Sequence, residues 1–181
     1  MERARRVWLA AGIAALTAGV LISSLVLAGT SFGRAQVGTF ESQDTVSDTV
    51  DDTGTCLGPG ATGTITGTET VVGHFTETGP PALNFDAHGT STLVYRVDYA
   101  DGRYILGTAV EHFKSSGNTP QLGDIGVTRD RGTLYGPDGQ VLGQVIVHAV
   151  THLTFRDANG NFQPDPGEII VNVDRFRLRC A

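Results

Sequence analysis

Residues 91–113 read STLVYRVDYADGRYILGTAVEHF. In the first ten, Leu93, Tyr95, Val97 and Tyr99 share one parity, while Thr92, Arg96 and Asp98 share the other. An apolar/polar period of two is the mark of a strand with one face buried and one in water. Asp101-Gly102 follows, a pair that favours the tight turn of a hairpin. The chain then returns as RYILGTAVEHF, residues 103–113, a second strand in which Tyr104, Leu106, Val110 and His112 share a face. That grouping predicts an inward-pointing His112.

The same reading extends in both directions. TGTITGTETVVGHFTET, residues 62–78, is rich in Thr and Val and sets Ile65, Val71 and Phe75 in one parity. Residues 125–135 lead into the turn sequence YGPDGQ at 135–140, and VLGQVIVHAVTHLTF at 141–155 is the longest strand candidate. EIIVNVDRFRLRC, residues 168–180, closes the series. No amphipathic helix is legible beyond residue 35, and the 24 glycines suit turns and bulges better than helices. Long antiparallel strands on short turns have to dispose of their edges, which a closed barrel or a packed pair of sheets does. The sequence therefore predicts an all-β fold, an antiparallel β-barrel, with a β-sandwich as the alternative.

The N-terminus has a different character. Arg3, Arg5 and Arg6 precede an uncharged run of 22 residues, Val7 to Ala28. A signal-peptide core is usually ~7–15 residues and a bilayer-spanning helix takes about 20. Residues 1–35 are thus expected to be a signal peptide or an N-terminal hydrophobic anchor helix. Both outcomes place the rest of the chain outside the cytoplasm, secreted or tethered. Residues 36–55 carry five acidic side chains, no basic ones and few large apolar groups. This composition predicts a flexible acidic linker, with the antiparallel β domain running from 56 to 181.

Beyond residue 35 the 13 basic and 19 acidic residues of the chain become 9 and 18, a net charge of −9. Such a balance argues against a nucleic-acid partner and favours cations or neutral ligands. The only cysteines are Cys56 and Cys180. In an oxidising compartment they are expected to form a disulfide across the whole domain, worth ~4–5 kcal/mol on a chain-entropy view. Two free thiols or an intermolecular bridge are the alternatives.

The loop between the last two strands, RDANGNFQPDPGEI at 156–169, spaces Asp157, Asn159, Asn161, Asp165 and Glu168 at positions 1, 3, 5, 9 and 12. That is the ligand spacing of a calcium-binding EF-hand loop. Phe162 stands at the usual glycine, Pro164 and Pro166 interrupt the second half, and strands flank it, so a full EF-hand is excluded. The stretch resembles the Asp-x-Asn-Gly-Asn…Asp-x-Gly-Glu calcium loops found between β-strands in bacterial surface proteins, and the resemblance implies calcium as a cofactor. The competing reading is a polar hairpin loop rich in turn formers.

Other chemistry-bearing residues are less organised. His148 and His152 lie about 13 Å apart along one strand and cannot share a metal unaided. The opposite parity, with Val145, Val147, Ala149, Leu153 and Phe155, is the better core set, which turns both histidines outward. Arg175, Arg177 and Arg179 alternate along the final strand and are expected to form a solvated face paired with acidic neighbours, with an anion-binding strip as the alternative. No Gly-x-Ser-x-Gly, HExxH or phosphate-binding glycine loop is present.

As a whole the chain is similar to secreted bacterial β-proteins with an export signal, Thr/Gly-rich strands and a terminal Cys. Its strand-only pattern resembles the calycin and allene-oxide-cyclase-like barrels, a likeness that implies an interior pocket. None of those families' binding residues can be carried over, because no family motif matches. The expected function is a non-enzymatic, exported binding or surface-interaction module for a small hydrophobic ligand or a cell-surface partner. The rivals are a cyclase- or isomerase-type barrel enzyme using His112, Tyr104 or Glu111, and a structural cell-envelope component.

Overall fold

The computed structural model describes residues 35–51, 57, 61–78, 84–118, 121–156 and 169–181. They form seven strands: β1 (Gln36–Asp51), β2 (Thr62–Thr78), β3 (Asn84–Tyr99), β4 (Tyr104–Asn118), β5 (Gln121–Tyr135), β6 (Val141–Arg156) and β7 (Ile169–Cys180). Each strand pairs antiparallel with the next, giving one sheet in the order β1 to β7. Among the described residues there is no helix.

The hairpin at 91–113 forms as its sequence predicts. Tyr99 and Arg103 close the turn through a 3.0 Å backbone hydrogen bond, and Gly102 takes φ +86°, a conformation costly for any other residue. Gly139 does the same at the β5–β6 turn, with φ +78°. Leu93, Tyr95, Val97 and Tyr99 are all buried, as the alternation requires.

One consequence of that turn corrects the expectation for β4. The register pairs Asp98 with Tyr104 and Val97 with Ile105. Tyr104 therefore shares the outward face of Asp98, and Ile105, Ala109 and Glu111 point inward. His112 faces out, its Nδ1 3.1 Å from the Thr90 hydroxyl. The apolar set Tyr104, Leu106 and Val110 misled the sequence reading because β4 carries large side chains on both faces, and Leu106 is left 43 % exposed. Outside, Tyr104 stacks on Tyr135 at 4.9 Å and lies under the Arg96 guanidinium at 4.1 Å.

A single sheet buries one face only by curling. Val46 and Val50 of β1 belong to the same apolar cluster as Ile65 of β2, Leu93 and Val97 of β3, Ile105 of β4 and Leu134 of β5. Removing such a side chain from water stabilises the fold by about 1.5–3 kcal/mol each. The outer face of β2 is nearly all threonine, from Thr62 to Thr70, a β-branched surface suited to a solvated strand.

Two further expectations change here. The sheet is curled but not closed: β1 and β7 are its edges and pair only with β2 and β6. Nor do the described residues form a sandwich, since all seven described strands belong to one sheet. Both edges carry inward-parity carboxylates, Asp44 and Asp48 on β1 and Asp174 on β7, and charges on an edge strand deter further pairing.

The acidic stretch expected as a flexible linker is β1, paired with β2 along its full 16 residues, Gln36–Asp51. Phe40, Val46 and Val50 fall on its even, inward parity, with Val46 and Val50 buried, while Val37 faces outward and is exposed. An edge strand needs no more, because main-chain hydrogen bonds hold it and charges on it deter further pairing.

The N-terminal segment 1–34, Cys56 and the loop 157–168 lie outside the described residues. The flanks of that loop are β6 and β7, antiparallel partners. Cys180, at the end of β7, has no free thiol.

Candidate functional site

The inner face is not uniformly apolar. Following the register strand by strand, Ser42 pairs with Val71, Val71 with Ser91, Ser91 with Glu111, Glu111 with Thr128, and Thr128 with Ala149. A row of mostly polar side chains thus crosses the inner face, with Glu69 one step along β2. Four of these polar residues, Glu69, Ser91, Glu111 and Thr128, are buried.

Their hydrogen bonding is uneven. Ser91 donates its hydroxyl to Glu69 Oε1 at 2.5 Å. Glu111, 4 % exposed, has a buried Oε2 with no hydrogen-bond partner, and the Ser42 hydroxyl is likewise unpartnered. Burial, and then the charge of Glu69, push the Glu111 carboxyl up from 4.5 to about 7. A carboxylate left without a donor in a dry site favours its neutral form.

Two glycines shape the site. A Cβ at Gly126 would stand 2.5 Å from Glu111 Oε1 and 2.7 Å from the Thr151 hydroxyl, so only glycine leaves room for the carboxyl over β5. A Cβ at Gly107 would run into the Tyr95 ring. Tyr95 crosses that gap to donate its hydroxyl to Asp130 at 2.8 Å. Burial raises Asp130 from 3.8 to about 6, an effect that the Tyr95 hydrogen bond partly offsets.

Chemically, the site holds two carboxyl groups, Glu111 and Asp130, that burial raises above the usual carboxylate range. A neutral Glu111 donates one hydrogen bond and an ionised one only accepts, so the site can meet either kind of partner. Access is asymmetric. β2 to β4 bury their inner face, whereas on β7 Phe176, opposite Ala149 on the inner parity, is 42 % exposed.

The sequence-predicted residues fall elsewhere. Asp157, Asn159, Asn161, Asp165 and Glu168 lie outside the described residues, and no group of three His, Cys, Asp or Glu among the described residues is placed to hold a metal. His148 is exposed on the outer face as expected, and His152, farther along the same face of β6, approaches the Thr154 hydroxyl at 3.3 Å. Of the three residues of the enzymatic reading, only Glu111 faces inward; His112 and Tyr104 do not.

Glu69, Ser91 and Thr128 were not singled out from the sequence. Their signal is present: Glu69 sits at the parity of Ile65 and Val71, and Glu111 at that of Ile105 and Ala109, each a charge where the strand pattern calls for an apolar residue.

No protein-family model matches the chain, and neither a curated protein nor a solved structure proves similar to it.

Proposed function

We propose that the domain is an extracytoplasmic binding module whose inner face takes a small, largely apolar molecule bearing one polar group, with Glu111 as its recognition residue. The observation that carries this reading is the unpartnered, buried Oε2 of Glu111 beside the hydrogen-bonded Glu69–Ser91 pair. Burying a polar atom without a partner costs about 1–3 kcal/mol. A ligand group that pairs with Glu111 recovers that cost, while Val, Leu and Tyr side chains of the same inner face offer apolar surface to the ligand's body. The unclosed flank at β7 supports entry from that side.

The test is native mass spectrometry of the protein purified from its own export pathway, followed by organic extraction. An apolar ligand of a few hundred daltons that is retained by the wild type and lost from Glu111→Leu supports the reading. Equal retention by both proteins defeats it.

A second reading, a cyclase- or isomerase-type enzyme, draws on the same carboxyl. A group titrating near 7 is suited to moving protons at neutral pH, and Glu69 is a second carboxylate close by. Recovering the extracted ligand from deuterium oxide would separate the two: Glu111-dependent deuterium incorporation marks proton transfer, and an unlabelled ligand marks binding alone.

The placement outside the cytoplasm rests on the Arg3, Arg5 and Arg6 start and the apolar run to Ala28. In that setting Cys180 pairs with Cys56, tying the end of β7 to the segment after β1. The 157–168 loop adds calcium-dependent rigidity at the β6–β7 hairpin through Asp157, Asn159, Asn161, Asp165 and Glu168. A melting temperature that rises with calcium in the wild type but not in Asp157→Ala tests the latter.

A further inference from the structure

The outer face of β5, β6 and β7 departs from the rest of the molecule in charge. The acidic residues of these three strands, Asp124, Asp130 and Asp174, all fall on the inner parity. Their outward positions carry six arginines, Arg129 and Arg131 on β5, Arg156 at the end of β6, and Arg175, Arg177 and Arg179 on β7, every one exposed. The expectation that the β7 arginines pair with acidic neighbours is thereby corrected. The ion pairs among the described residues lie on β3, on β4 and in the turn between them, and none involves these six side chains. In a chain of net charge −6, six such arginines on one face constitute a built asymmetry.

The register gives their arrangement. Arg131 pairs with Ile146 and Ile146 with Arg179; Arg129 pairs with His148 and His148 with Arg177; Val150 lies between Val127 and Arg175. Two arginine columns thus flank an uncharged column, Ile146, His148 and Val150. The columns stand about 10 Å apart, two strand spacings, and successive arginines within a column are about 7 Å apart. Guanidinium groups at this spacing have no internal partner to satisfy and present planar forks that match carboxylate or sulfate oxygens.

We propose that this face docks an acidic glycan strand, its sugar rings lying along the Ile146–His148–Val150 column and its anionic groups reaching the arginines on either side. The uncharged centre favours a ligand with a weakly polar body and charged margins. The outward curvature of a curled sheet suits a chain that bends over it, whereas a flat bilayer of anionic headgroups would meet mainly one column at a time. Such binding falls with salt, because exposed charges are screened within about 10 Å at 0.1 M ionic strength.

The experiment uses the full exported domain and a carboxylated probe, oligogalacturonate, with neutral dextran and vesicles of anionic phosphatidylglycerol as comparators. Titration calorimetry and cosedimentation at 50 and 300 mM salt read the binding. The expected result is saturable binding of oligogalacturonate, at least tenfold weaker at 300 mM salt. It should also be at least tenfold weaker in Arg129→Gln/Arg177→Gln and in Arg131→Gln/Arg179→Gln, and unchanged in Arg96→Gln. Exposed side chains without partners are not needed for folding, so both double variants should melt with the wild type. The proposal is overturned if the double variants bind as the wild type does. It is equally overturned if Arg96→Gln weakens binding as much, if dextran binds equally, or if only the vesicles are bound.

Discussion

Glu69 on β2 and Glu111 on β4 face the same side of the sheet with one strand between them, and the charge of the first helps hold the proton on the second. Ser91, on the intervening strand, gives its hydroxyl to Glu69 and leaves Glu111 without a donor at Oε2. The two similar side chains thus differ: Glu69 accepts a hydrogen bond from Ser91, while burial favours the protonated form of Glu111. The functional reading turns on that difference.

Stability should depend on pH through Glu111. Its carboxyl titrates at about 7 in the fold against 4.5 ordinarily, so the folded state binds the proton more tightly than the unfolded chain. The resulting stability is complete below pH ~4.5 and is lost as pH rises through about 7, by ~3 kcal/mol at most. Asp130 adds a loss of the same sign between pH ~4 and ~6. Urea denaturation at pH 5 and pH 8 should show the protein more stable at pH 5. Glu111→Gln should flatten the upper part of the profile, above pH 6. A variant with an unchanged slope there would contradict the assignment.

Gly126→Ala should force the Glu111 carboxyl off β5, since the added methyl would stand 2.5 Å from its Oε1. Overpacking of this kind costs about 1–3 kcal/mol. Chemical denaturation would measure it, and a loss under 0.5 kcal/mol would mean that the carboxyl has another place to go.

Tyr95→Phe removes the donor to Asp130. The loss should be largest where Asp130 is ionised, about 1.5–3 kcal/mol at pH 7.5, and clearly smaller at pH 4.5, where the carboxyl is neutral. Equal losses at both pH values would show that Tyr95 acts by packing alone.

Membership of β1 in the domain predicts a parity effect. Val46 is 7 % exposed on the inner face and Thr45 is exposed on the outer face. Val46→Asp should cost at least ~3 kcal/mol, an unpaired charge placed in the core. Thr45→Asp should stay within ~0.5 kcal/mol. If residues 36–51 were a spacer, both would be silent.

These residues also show where the fold was legible. β3 announces itself because Leu93, Tyr95, Val97 and Tyr99 put all their large apolar groups on one parity, and burial follows directly. β1 does not, because pairing with β2 through the main chain leaves no side-chain pattern, and two valines suffice for its share of the core. β4 offers apolar residues on both parities, and only the length of the turn at Asp101-Gly102, which pairs Asp98 with Tyr104, decides that Glu111 rather than His112 goes inward. Closure was unreadable for a related reason. Whether the last strand meets the first depends on how the two edge strands, far apart in sequence, are placed by all the pairings between them. The inner carboxylates were written in the parity of their strands, yet each looks ordinary until its register partners are known.

The most direct measurement is the titration of the Glu111 side-chain carboxyl by carbon-13 NMR in the selectively labelled protein, assigned through Glu111→Gln. The account predicts a midpoint near 7 that moves down when Glu69→Gln removes the neighbouring charge. A midpoint close to 4.5, indifferent to Glu69, would contradict it.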